Sequence, residues 1–435
     1  ADWRVLGFGL AVALGVTLLF GLLPALRASS VNPVSALKGG EDPHARRRLM
    51  HSLIGVQVAF CFLVLFVAGL FVTTFERLSH VATGFSANGV LVMNTVSKQP
   101  QSVEYWSQLL DHLRHVEGVE AVGMSDAPLL SGGNWSNFIS VDGNPPNGIS
   151  TYMRRVSPGW IDTLQIPLLD GRDFLPQDSQ PGSALVNQAF AEAYFDGKSP
   201  VGRSFDIVFS GNFHMHVQAV GLVGNVRYSD LRQPFVPQLY LPFRIVGDNG
   251  KMQDMGGAQV LVRTKKANPA VLGQFFRGDI PRVRPEFRVS QIRTQAEINL
   301  SHTVRERLLA TLAAFFSVVA LLLAGVGLYG VLHYYVMQRR REIGIRIAVG
   351  AGAANIARIV TADAVVVVLL GWAAGLALGM ASTRFMESLF FQVKASDPPM
   401  IILPAAILFA VALLASIPAV LRAVRIDPAS MLRAE

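Results

Sequence analysis

The chain has 435 residues, of which 51% are hydrophobic and 16% charged, with a formal net charge of +8. An ordinary soluble domain carries about 25% charged residues and a disordered chain has few apolar ones, so neither class describes the whole molecule. Its one cysteine, Cys61, cannot form an internal disulfide, and no Cys/His spacing matches a zinc site.

A membrane span needs about 20 predominantly apolar residues to cross ~30 Å of hydrocarbon. Five runs qualify, approximately Val5–Leu26, Leu53–Phe75, Leu308–Val336, Ile359–Ser382 and Met400–Leu421. They divide the chain into a span at 1–27, a basic linker at 28–52, a span at 53–75, a large insert at 76–307, a span at 308–337, a basic segment at 338–358, two spans within 359–421, and a tail at 422–435.

The charges sort with this division. Residues 27–51 carry a net +3, 338–358 a net +4 and 422–435 a net +1, whereas the insert holds 22 bases against 21 acids. The positive-inside bias places the three basic segments in the cytoplasm, and the insert and the 383–399 loop outside. The net charge therefore reports orientation at a membrane, with lipids as partners and no nucleic acid.

This topology puts Ala1 outside without a preceding export signal, as expected of a piece of a longer chain. A signal peptide ending near Ala25–Ala28 is the alternative, but the first apolar run exceeds 20 residues where a signal core has about 7–15. A repeat at an offset of 395 pairs Arg27 with Arg422, Pro33 with Pro428, Ser35 with Ser430 and Leu37 with Leu432. That spacing reads as a duplicated domain, so residues 1–40 are expected to end an upstream copy.

Within the insert, Val90–Val96 and Val119–Ser125 are β-rich runs around a helical stretch, Val103–Val116, whose Leu109, Leu110, Leu113 and Val116 recur at helix spacing. Further strands are expected at Phe138–Val141, Ala184–Val186, Val217–Val223 and Gln259–Arg263. An α+β domain with a helix or two on small sheets follows. Its flanks, Thr73–Val81 and Gln295–Leu309, keep helical spacing and predict the inner two spans continuing outward as a stalk. The fold class is a multi-pass α-helical membrane protein, a four-span unit plus one extra span, with a large extracytoplasmic α+β domain.

Several strings mimic nucleotide sites. Leu130-Ser131-Gly132-Gly133 spells the signature of an ABC ATPase but lies in the outer insert, and no Walker A run accompanies it. Gly197-Lys198-Ser199 lacks the glycine five residues before Gly197, where Glu192 stands. Gly325-Val326-Gly327-Leu328-Tyr329-Gly330 matches a dinucleotide fingerprint inside a span, where close helix packing is the better account. Gly371, Gly375 and Gly379 make a small-residue face, best read as packing within the subunit. His112 and His115, and His214 and His216, lack a third ligand, so no metal site is expected. Asp363 is placed in the first turn of its span, favourable at a helix N-terminus. No nucleophile elbow occurs, and no enzymatic activity of the chain's own is expected.

The segment 339–351, RRREIGIRIAVGA, combines charge with Ile343, Ile345, Ile347 and Val349 and with small residues. Directly after a span, it suits lying on the membrane face and presenting a groove-filling surface to a soluble partner. A basic loop held only by anionic lipid is the alternative.

REIGIRIAVGA at 341–351, between the second and third spans of a four-span unit, resembles the FtsX/MacB class of ABC transporter permeases. The insert resembles the MacB periplasmic core domain through VSPGWIDTLQIPLLDGRDF at 156–174, VNQAFAEAYF at 186–195, PVGR at 200–203, GLVGNVRY at 221–228 and QLYLP at 238–242. The duplication is similar to that of the duplicated orphan permeases of this class, often called ADOP. The resemblance implies that Arg341, Glu342, Ile343, Gly344, Arg346, Ala348, Gly350 and Ala351 lie in a coupling helix that docks on a separate cytoplasmic ATPase, the chain itself binding no cofactor and ATP/Mg belonging to that partner. It further implies an inner-membrane location, a periplasmic insert, a cytoplasmic C-terminus and an upstream repeat or second permease copy as partner, with a periplasmic adaptor protein another. The expected function is mechanotransmission: ATP-driven motion carried across the membrane to the outer domain for export or extrusion. The rival is an ATPase-independent scaffold or sensor that binds an envelope ligand or protein through the insert.

Overall fold

The computed structural model describes residues 43–425 except 210–212, 248 and 266–268, together with the isolated positions 3, 7, 10 and 14. Apart from those isolated positions the expected first span lies outside the described residues, as do the repeat-bearing segments 27–38 and 427–433. The chain divides into two units, one comprising the described residues up to Leu70 with Leu312–Glu387 and the chain from Lys394 on, the other Phe71–Thr311 with Ser388–Val393.

The first unit is helical. Among the described residues four helices are long and apolar enough to cross a membrane. They are α1 (Pro43–Ser79), α7 (Val304–Gln338), α9 (Ala353–Met386) and α10 (Pro398–Val424), with the short α8 (Arg340–Ala348) between the second and third. Half of the most apolar window of α1 is buried against 17–22% in the others, so α1 is the most enclosed helix. Its Phe62 and Phe66 are fully buried, and Phe62 meets Trp372 of α9 edge-on at 6.4 Å between ring centroids. Asp363 lies well inside α9 instead of in its first turn, because the helix starts at Ala353, upstream of the apolar run.

The second unit carries the strands. In chain order they are β1 (Val90–Gln101), α2 (Val103–Arg114), β2 (Val119–Ser125), β3 (Ser136–Val141), β4 (Thr151–Val156), α3 (Trp160–Leu164), β5 (Leu168–Gly171), β6 (Gly182–Asn187), α4 (Gln188–Phe195), β7 (Ser204–Val208), β8 (His214–Val223), β9 (Gln238–Pro242), β10 (Met255–Thr264), α5 (Pro269–Val283), β11 (Phe287–Thr294) and α6 (Gln295–Ser301). All strands join one connected sheet instead of the separate small sheets expected from local sequence.

That sheet has two parts. In the order β4-β3-β7-β8-β6-β9, six strands close on themselves because β9 also pairs in parallel with β4. The interior is filled by Ile139, Met153, Phe190, Phe205, Val217, Leu239 and their neighbours. The other part is an open sheet, β11-β1-β10-β2, joined to the closed part through Ser125 opposite Val156. Strand alternation sends Leu91, Met93, Val260 and Val262 to the face covered by α2 and α5, where Trp106, Leu110, Phe276 and Ile280 meet them. Val90, Val92 and Leu261 face a second core built on Trp160, Ile161, Leu164 and Tyr240. Burying large apolar side chains at about 1.5–3 kcal/mol each is what holds both faces.

Candidate functional site

The segment predicted to meet a partner forms α8, a nine-residue helix whose Ile343 and Gly344 are buried. Helical spacing turns Arg341, Glu342, Ile345 and Arg346 to solvent, with Ile345 52% exposed and Val349 84%. Glu342 accepts from Arg346 at 2.7 Å and lies 3.6 Å from Arg339, and the Arg339 guanidinium stacks over Tyr335 at 4.7 Å. An apolar pair is therefore displayed beside a charge pair, the composition that suits a groove with a polar rim.

The helix ends in a Schellman motif. The Gly350 amide donates to Ile347 and the Ala351 amide to Arg346, with Gly350 at φ +97°. A residue with a Cβ is strained there, so Gly350 sets the sharp exit toward α9. Of the residues assigned to this site, Gly344 faces inward and Gly350 shapes the backbone; Ala348 is exposed and Ala351 half-buried.

The glycine face of α9 lies against α1. A Cβ at Gly371 would stand 2.7 Å from Val58, one at Gly375 2.5 Å from the Ala59 carbonyl oxygen, and one at Gly379 2.9 Å from Phe66. In the fingerprint-like string of α7, a Cβ at Gly327 would stand 2.6 Å from the Gln57 side chain. Gly197 follows the C-terminus of α4, where its amide donates to Ala191; that is the carbonyl end of a helix, opposite to the end that cradles phosphate. His216 pairs with Asp206 at 2.9 Å and His112 with Asp279 at 2.8 Å, and no group of three ligating side chains occurs among the described residues.

In the second unit, α1 enters the strands through the segment 80–89. Buried Arg263 donates from Nε to the Thr163 carbonyl at 2.7 Å, and from its two terminal nitrogens to Asn88 at 2.9 Å and Ser86 at 2.8 Å. Arg227 donates to Ala82 at 3.1 Å and to Gln233. Burial lowers the pKa of both guanidinium groups, yet at ordinary pH they stay charged and collect backbone oxygens in place of carboxylates. Gly84, at φ +82°, lets the chain pass so close to Asn225 that a Cβ would stand 1.9 Å from that carbonyl oxygen.

The stalk expected on the other side is broken. A capping box of Thr294 and Glu297 starts α6, which ends at His302 before α7 begins at Val304. Beyond this break Glu306, 6% exposed, accepts from Arg232 at 2.7 Å, and Arg232 also donates to the Leu389 carbonyl at 3.0 Å. Arg77 of α1 donates to Gln392, Phe71 meets Phe390 at 5.7 Å, and Phe391 enters the same core as Leu78. The loop Ser388–Val393 is thus gathered by both stalk helices and the strand domain. Sequence reading passed over Arg232, Glu306 and this loop; an acid at the foot of an apolar run and the Phe390-Phe391 pair in a short loop were the available signals.

Residues 314–428 match the FtsX-like permease C-terminal family and residues 53–273 the MacB-like periplasmic core domain family. The chain is 25% identical over 330 residues to the macrolide export ATP-binding/permease protein MacB of Marinobacter nauticus, covering 74% of this chain and 48% of that one. It is 22% identical over 239 residues to the ABC transporter permease YknZ of Bacillus subtilis, covering 54% and 57%. Among solved structures, the periplasmic region of MacB from Actinobacillus actinomycetemcomitans aligns at a TM-score of 0.34 and 14% identity, over 50% of this chain and 94% of that one. The chain spans about half the length of these curated relatives.

Proposed function

The chain belongs to the ABC transporter permeases built from an FtsX-like permease domain and a MacB-like periplasmic core domain, and from that premise we propose that it transmits ATPase-driven motion to its outer domain for export or extrusion of a substrate. The family implies an ATPase partner, and the apolar helices with their periplasmic-type domain make this a membrane protein with an extracytoplasmic domain. In the proposed cycle a separate cytoplasmic ATPase docks on α8 through Ile345, Val349 and the Glu342–Arg346 pair. Its movement passes into α1 and α7 and from them into the strands, with the membrane in question the inner membrane and the C-terminus cytoplasmic.

The observation that carries this reading is α1 itself. It is one unbroken helix of 37 residues, roughly 55 Å long and well beyond the ~30 Å of a hydrocarbon core. A lever transmits only if its far end is fixed, and the chain leaving α1 is held within ten residues of Ser79, by Arg227 at Ala82 and by Arg263 at Ser86 and Asn88.

The test is recovery of an ABC ATPase with the tagged full chain from its own membranes. Ile345→Glu combined with Val349→Glu changes two exposed side chains and is expected to lower that recovery about tenfold or more, as loss of an anchor pair does. Unchanged recovery overturns the docking assignment. If the native chain recovers no ABC ATPase, the ATPase-independent scaffold takes its place.

A further inference from the structure

The inner face of α5, with Leu272, Phe276 and Ile280, is buried against the open sheet. Gly273 on that face has a packing reason, since a Cβ there would stand 2.9 Å from the Ile292 side chain. The outer face carries Val271, Phe275, Gly278 and Arg282 at i, i+4, i+7 and i+11, which helical spacing aligns in one stripe. Val271 is 64% exposed and Phe275 49%, so this apolar surface lies open and belongs to no core.

Gly278 lacks the reason that Gly273 has. Glycine in a helix interior is destabilising relative to alanine, because it gives up the most backbone freedom on folding. Its φ is not in the left-handed region, and beyond the helix's own backbone no atom lies within 4 Å of where a Cβ would stand. Pro281, one turn on, disturbs the helical ladder at the Arg277 carbonyl, but that is a backbone effect and calls for no missing side chain at Gly278. The space is left on the outside of the protein, where a second helix could approach closely between Phe275 and Arg282.

The charges beside the stripe have one sign. Arg277 and Arg282 are exposed and have no hydrogen bond or ion pair with any described residue, while Asp279, the acid of this helix, is held by His112 at 2.8 Å. A second copy packed on the same face would bring both arginines of each chain together with no free acid of α5 between them, which like-charge repulsion disfavours. The same cations favour a partner that carries carboxylates.

We propose that the outer face of α5 docks an amphipathic helix of an extracytoplasmic partner protein, one that crosses at Gly278, lays apolar side chains on Val271 and Phe275, and offers carboxylates to Arg277 and Arg282. The proposal goes beyond ATP coupling and does not rest on it, because docking at α5 involves neither α8 nor an ATPase.

The test is fluorescence anisotropy of the full chain in amphipol with two labelled helical peptides that share one leucine stripe, flanked by glutamates in one and by lysines in the other. Native protein is expected to bind the glutamate peptide about tenfold or more tighter. Arg277→Glu combined with Arg282→Glu should reverse that preference, with a matching thermal melt to establish folding. Gly278→Gln should weaken the glutamate peptide about tenfold or more and yet raise the melting temperature, because glutamine is the better helix former and enters empty space. A glycine kept for the fold alone would lower the melt when replaced. Equal binding of the two peptides to native protein, or glutamate-peptide binding unaltered by Gly278→Gln, overturns the site. Self-association of the native chain that Gly278→Gln abolishes assigns the face to a second copy, and displacement of the peptide by phosphatidylglycerol vesicles assigns it to lipid; either result overturns the partner helix.

Discussion

Arg263 and Arg227 use main-chain oxygens where buried guanidinium groups more often use carboxylates, and the consequence is positional. Three carbonyls converge on Arg263 from two segments that are far apart in sequence. Replacing it with methionine keeps much of the volume but leaves those oxygens without a donor, at about 1 kcal/mol or more each. Arg263→Met is therefore expected to cost about 3 kcal/mol and to open the 80–89 segment to protease, with a thermal melt and limited proteolysis as the measurements; an unshifted melt would remove Arg263 from the clamp. Asp178 gives a pH-dependent counterpart. Its burial opposes ionisation, but Arg172 at 2.6 Å, the Leu175 amide and the Ser183 hydroxyl outweigh that and hold its pKa below the ordinary carboxylate value. A depressed carboxylate stabilises the fold above its unfolded pKa, and the stabilisation is lost as pH falls through the folded value. Asp178→Asn should accordingly lower the melting temperature at pH ~7, and the gap to the native protein should close as the pH falls below the ordinary carboxylate value near ~3.9. A gap that stays constant across that range would exclude the carboxylate as the source.

At the scale of elements, the second stalk helix differs from the first. α1 runs unbroken, whereas α6 and α7 are separated at His302 and Thr303, and Glu306 sits just past the break. Arg232 bridges that helix to the loop at Leu389, so one side chain ties together a stalk helix, the 388–393 loop and the strand domain. Glu306→Gln retains the shape and removes the charge, leaving Arg232 partly buried without its ion-pair partner. Hydrogen exchange across Ser388–Val393 is expected to accelerate about tenfold, equivalent to ~1.4 kcal/mol, while the β1 amides stay protected. Equal exchange in both proteins would show that the pair does not hold the loop. The glycines of α9 act differently: each removes a side chain where α1 passes, so they set helix spacing and carry no chemistry of their own.

For the whole molecule, hydropathy was enough to find the four spans among the described residues and the large insert between the first two of them, because a bilayer imposes a length of apolar chain regardless of tertiary contacts. The strands β1 and β2 and the helix between them were equally legible, since alternation and helical spacing are local. The ordered motifs from REIGIRIAVGA to QLYLP identified the family. Tertiary structure decided the rest. Closure of six strands rests on the parallel pairing of Thr151–Val156 with Gln238–Pro242, segments with a long stretch of chain between them, and no local pattern encodes such a partner. Gly344 and Ile345 are adjacent in one motif, yet only packing decides that the first is buried and the second displayed. Arg232, Glu306 and Leu389 stand far apart in the chain, and their charges acquire meaning only where the fold brings them together.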